Sequence, residues 1–144
     1  MLVRILLLVG TILVLNIGCG GEAPFRKATS PAKGKVTVDG SAPGSAIQIQ
    51  CHAASADPVH PTISSTETDA DGNFAISTYT SGDGLPVGEY TLTFSWQEFN
   101  VMTRSYSGED KLNNRYIDPL SSQFKLSVKE GEEKEMGVIA LTTK

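Results

Sequence analysis

Between Tyr90 and Trp96 apolar side chains recur at every second position, with Tyr90, Leu92, Phe94 and Trp96 separated by Thr91, Thr93 and Ser95. A period of two places the apolar set on one side of a strand and the hydroxyl set on the other, so one face is predicted buried and one wet. Shorter runs repeat the pattern. Val36 and Val38 follow Lys33, and Ile47, Ile49 and Cys51 alternate with Gln48 and Gln50. Asp39-Gly40 and Pro43-Gly44 are turn pairs between these two runs and predict that they form a hairpin. Cys51 is in phase with the isoleucines, which predicts a small buried hydrophobe. Thr62–Thr68 is polar and rich in hydroxyls, as a sheet edge tolerates. Asp71-Gly72 predicts a tight turn, after which Phe74, Ile76 and Thr78 resume the alternation. Phe124, Leu126 and Val128 form a further run before Glu130-Gly131, and Ile139 and Leu141 are the expected inward pair of the last one. About seven short strands with frequent turns predict an all-β fold, a Greek-key β-sandwich.

The first eighteen residues follow a different rule. Met1–Arg4 carries one positive charge, and Ile5–Leu15 is apolar except for Gly10 and Thr11. As a helix, that run would cover about 16 Å, roughly half the hydrocarbon core, which is too short to span it. It closes on Leu15, Asn16, Ile17, Gly18 and Cys19, with small residues where a signal peptidase would cut. Ile17, Gly18 and Cys19 resemble the lipobox of bacterial lipoprotein signals. That resemblance implies cleavage before Cys19, acylation of its sulfur and amine, and attachment to a membrane through the lipid. Gly20 after the cysteine points by analogy to outer-membrane sorting. An ordinary secretory signal with Cys19 as bystander, and a Cys19–Cys51 disulfide, are the competing readings. The expected organisation is a lipoprotein signal peptide at 1–18, a flexible stalk at 19–32 and a β-sandwich domain at 33–144.

Composition narrows the chemistry. A net charge of −4 and a pI near 5.1 leave no basic footprint, so no nucleic-acid partner is expected. With two cysteines and two histidines, His52 and His60 in a proline-containing loop, no metal site is expected. Asp69, Asp71 and Asn73 look at first like a calcium loop, but the position that should be glycine is Phe74 and the one that should be glutamate is Thr80. Gly82 and Gly84 precede a proline and a strand, not the helix a phosphate cradle needs. No nucleophile elbow is present, so no catalytic residue and no cofactor are expected. Gln97–Ser122 is the longest stretch without alternation, and the spacing of Leu112 and Tyr116 predicts a single helical turn pinned to the sheet. Trp96, Phe99, Tyr106 and Tyr116 near it are candidate ligand-binding residues for sugars or peptides, the alternative being that they fill the core.

Five segments, taken in order, carry a family likeness. They are Gly34–Gly40, Thr68–Phe74, Pro86–Tyr90, Tyr116–Pro119 and Val128–Gly131. Together they resemble the carboxypeptidase regulatory-like (transthyretin-like) domain, above all its single-domain versions in small bacterial envelope lipoproteins. The resemblance implies a transthyretin-like or Ig-like sandwich without catalytic residues, and it brings no site residues. Enzymes with that fold provide a contrast. Hydroxyisourate hydrolases end in Tyr-Arg-Gly-Ser, whereas this chain ends in Leu141-Thr-Thr-Lys144, and the two histidines do not match the iron-binding arrangement of intradiol dioxygenases. The expected function is that of a non-enzymatic, membrane-anchored envelope lipoprotein whose β-sandwich is structural or binds an envelope protein or polysaccharide. A carbohydrate- or peptide-binding module and a transthyretin-like-fold enzyme are the alternatives.

Overall fold

The computed structural model describes residues 24–144. The signal peptide at 1–18 and the Cys19 lipidation site lie outside the described residues. In chain order the strands are β1 (Thr29–Ser30), β2 (Ala32–Val38), β3 (Gln48–Ala53), β4 (Ser64–Glu67), β5 (Asn73–Ala75), β6 (Leu85–Pro86), β7 (Gly88–Ser95), β8 (Glu98–Asn100), β9 (Ser105–Ser107), β10 (Lys125–Val128) and β11 (Lys134–Leu141), and no helix occurs among the described residues. The fold is all-β.

Seven strands make two sheets, a four-stranded one ordered β10-β7-β3-β4 and a three-stranded one ordered β11-β2-β5. Their inward residues share one core. Ile49, Leu92, Phe94 and Leu126 of the first sheet cluster with Val36, Val38, Phe74 and Leu141 of the second. Two facing sheets around one apolar layer are consistent with a β-sandwich. Two small pairs, β1-β6 and β8-β9, complete the set. The period-two reading places most of the core, with Val36, Ile47, Ile49, Ile76, Leu92, Phe94, Leu141 and Cys51 all buried, whereas Trp96 and Phe124 are only partly buried.

The expected hairpin between the first two runs does not form. β2 pairs with β11, in parallel, and with β5, whereas β3 pairs with β4 and β7. Asp39 and Gly40 do make a tight turn, both at positive φ (48° and 81°), but it closes only the bridge between Val38 and Ser41 before the chain crosses to the other sheet. Placed in opposite sheets, the two strands turn their apolar faces toward one another, Val36 and Val38 from one side and Ile49 and Cys51 from the other, in one shared core. The turns at Asp71-Gly72 and Glu130-Gly131 behave alike, joining β4 to β5 and β10 to β11 across the two sheets. Gly72 lies at φ +89°, its carbonyl accepts the Val36 N–H at 2.7 Å, and a Cβ there would come within 2.0 Å of the Val36 oxygen. Only glycine fits.

Two further expectations are revised. Residues 29–32, assigned to the stalk, belong to the strand framework: β1 pairs with β6, and Ser30 and Ala32 are buried. Ser30 Oγ donates to the Lys129 carbonyl at 2.8 Å and accepts the Gly131 N–H at 3.1 Å, so this short strand also holds the turn after β10. The segment 97–122 is the β8-β9 hairpin followed by successive turns, with no helical turn in it. Leu112 is fully buried and Tyr116 packs on the core, as their spacing implied, but a carboxylate, not a helical turn, holds the chain at Leu112. Asp110 is buried and accepts backbone N–H groups from Trp96 (2.7 Å), Leu112 (3.2 Å) and Asn114 (2.9 Å). Those donors would otherwise be orphaned in the irregular chain.

Candidate functional site

The site lies on the side of the four-stranded sheet turned away from the core. There the alternation that sends Ile47, Ile49 and Cys51 inward sends Gln48 and Gln50 outward. Cross-strand register then builds two rows. Gln48 stands between Glu67 of β4 and Ser95 of β7, and Gln50 stands between Ser65 and Thr93. Successive rows on one face are two residues apart along a strand, close enough for one ligand to touch both. Ser95 Oγ donates to Gln48 Oε1 at 3.2 Å, and His52 Nε2 lies 2.8 Å from Thr93 Oγ1. Thr93, expected on the wet face, is 5% exposed because its neighbours close over it. The Gln50 side chain is exposed and makes no hydrogen bond with the described residues.

The β8-β9 hairpin supplies a wall. Phe99 and Tyr106 are register partners, their ring centroids 5.1 Å apart. The Tyr106 hydroxyl faces Glu67 and Gln48; partial burial first, and the Glu67 carboxylate next, push that phenol above its ordinary range. With Ile63 and Ile117 at its margins, the result is an open groove of about 720 Å³. No Lys, Arg or His lines it, and Glu67 is its one charged residue.

The four aromatic candidates therefore divide. Phe99 and Tyr106 come together at the hairpin, and Tyr106 lines the groove. Trp96 packs on the core with its indole N–H donating to Ser45 Oγ at 2.8 Å. Tyr116 packs on the core beside Phe124, its hydroxyl accepting the Thr142 N–H at 3.1 Å. Neither of these two lines the groove. Sequence reasoning did not single out Gln48, Gln50, Glu67, Thr93 and Ser95. Their outward phase was visible in the alternation, but their meeting depends on strand register, which the alternation does not encode.

A second groove, about 480 Å³, lies between the 53–63 segment and the start of β7. Lys27 closes one side of it, with Nζ 2.7 Å from Asp57 and its backbone N–H on the Tyr79 hydroxyl at 3.0 Å. That ammonium, with the His60 and Val59 N–H groups, holds the Asp57 carboxyl well below the usual range. His60 stacks on Phe25 with centroids 4.0 Å apart, while His52 is engaged with Thr93. The two imidazoles thus serve different neighbourhoods. Among the described residues no three of His, Cys, Asp and Glu converge to form a metal cage.

No family model matches the chain. No curated protein matches it in sequence. Among solved structures, a 9R-lipoxygenase from Cyanothece PCC8801 is similar over 84% of this chain and 18% of its own, at 14% identity and a TM-score of 0.39. The chain thus spans less than a fifth of that protein's length.

Proposed function

We propose that this chain is a non-enzymatic lipoprotein of the bacterial envelope, anchored through Cys19, whose β-sandwich is an interaction module presenting the outer face of its four-stranded sheet. The observation that carries the module reading is the groove: polar side chains from three strands and one hairpin aromatic converge on it, though none is needed to fill the core. A Greek-key, transthyretin-like topology is supported by the chain's crossing between sheets after β2, β4 and β10. The lipid anchor is supported by the short apolar run ending at Cys19. Placement at the outer membrane is supported by Gly20.

The anchor is tested by expressing the full chain and its Cys19→Ser variant in a bacterium that processes lipoproteins. The native chain is expected in the membrane fraction after a high-salt wash, and the variant in the soluble fraction. An unchanged partition would remove the anchor from this reading and leave the module untouched.

A further inference from the structure

We infer that the outer groove of the four-stranded sheet binds a neutral glycan chain, which Gln48, Gln50 and Glu67 hold by its hydroxyls and Tyr106 holds by a sugar face. This rests on the interaction-module reading given above and names the ligand class for that same surface.

The donor set argues for hydroxyls. A sugar hydroxyl both donates and accepts, and so does a glutamine amide, with two N–H donors and a carbonyl. Gln48 and Gln50 lie side by side on β3, with the Ser65 and Ser95 hydroxyls beside them on the flanking strands. Glu67 adds an acceptor that takes two donors from adjacent hydroxyls. The Gln50 amide is not engaged with the described residues, so binding there displaces water and breaks no bond of the fold.

Charge excludes the acidic alternatives. A groove whose one charged residue is Glu67, with no Lys, Arg or His in its lining, offers an anionic polymer no counter-charge and one repulsion. The geometry also disfavours an extended peptide. Peptides gain affinity by pairing with an open strand edge, and here the floor strands β3 and β7 are paired on both sides, while at the edge strand β4 the Ser65 backbone is taken by its bridge to Ser77. On the floor of the groove it is therefore side chains that meet the ligand. A ring standing at the end of a polar trough is suited to the apolar C–H face of a sugar, and Tyr106 is steadied for that role by Phe99 behind it and Glu67 before it. An open groove of about 720 Å³ lined by three strands has room for more than one sugar ring, which suits a chain better than a single sugar.

The test uses the full chain in a zwitterionic detergent that carries no sugar head group. It is titrated calorimetrically with neutral hexasaccharides (gluco-, xylo-, manno- and N-acetylglucosamine-based), with oligogalacturonate and with an unstructured acetylated decapeptide. At least one neutral hexasaccharide is expected to bind saturably with a Kd below about 1 mM. Tyr106→Ala and Gln50→Ala should each weaken it about tenfold, the loss of one stacking or hydrogen-bonding contact. Gln50 is exposed, so that variant keeps its fold even where Tyr106→Ala loosens the hairpin, and amide chemical-shift dispersion checks both. No neutral hexasaccharide binding, equal binding of oligogalacturonate, or affinity unchanged in Gln50→Ala would each overturn the inference. Binding of the decapeptide alone, lost in Gln50→Ala, would also overturn it while leaving the interaction module standing.

Discussion

Cys51 shows how a single residue's chemistry follows from its phase in a strand. Its place after Ile47 and Ile49 puts the thiol in the core, and burial pushes that thiol up to about 12. A raised thiol value favours the protonated folded state. The associated stability is present below the unfolded value of about 8.5 and is lost as pH rises toward the folded one. Cys51 is therefore expected to resist Ellman's reagent at pH 8 in the native protein and to react fully in denaturant; rapid native reaction would contradict its burial. Gly84 is set by space instead. It lies at φ +87°, and a Cβ would meet the Ser30 oxygen at 1.9 Å. Gly84→Ala should cost at least about 2 kcal/mol, combining backbone strain with a clash against β1. Chemical denaturation reads this as a lower midpoint at unchanged slope.

At the scale of elements, the informative segment is the irregular one. Between β9 and β10 the chain has no ladder to satisfy its amides, and the Asp110 carboxylate takes those of Leu112 and Asn114, together with that of Trp96 after β7, while Leu112 plugs the core beneath. Asp110→Ala should destabilise by about 3 kcal/mol, because buried N–H groups lose a charged acceptor. Asp110→Asn, which keeps one acceptor oxygen, should cost roughly half as much. Equal, small losses in both variants would mean that water replaces the carboxylate. The sequence made Leu112 and Tyr116 legible as anchors through their spacing. It did not reveal Asp110 as the acceptor that holds the backbone at Leu112, since a carboxylate's burial depends on which amides fold around it. For the same reason the groove was only half legible: Phe99 and Tyr106 stood out as aromatics, whereas Gln48, Gln50 and Glu67 looked like ordinary solvated positions.

For the whole molecule, carboxylates tie segments distant in the chain. Asp39 accepts the hydroxyls of Thr142 (2.8 Å) and Thr143 (2.6 Å), clasping the β2-β3 crossing to the end of β11. The Thr143 and Thr142 hydroxyls lower its carboxyl, Lys27 lowers Asp57, and the Asn73 side chain lowers Asp69. At Asp83 burial pulls upward, and the N–H groups of Thr78, Tyr79 and Thr80 outweigh it. A depressed folded value stabilises above the unfolded one, about 3.9, and the benefit is lost as pH falls through the folded values. The melting temperature should thus hold level from about pH 7 to pH 5 and drop between about pH 4 and pH 2. Circular dichroism melts across that range check it, and a level profile down to pH 2 would show that these contacts do not stabilise the fold.

What the sequence determined alone is the local periodicity: which residues of each strand face inward, where the turns fall, and that the fold is all-β. Those properties follow from alternation and turn chemistry within a few residues. Strand partnership was decided only in three dimensions. β2 could have paired with β3 through a plausible turn, but the two lie in opposite sheets with their apolar faces in one shared core, and a parallel β11 became the neighbour of β2. The groove is of the same kind. Its floor joins residues from three separate strands, and only the register that closes the core brings them side by side.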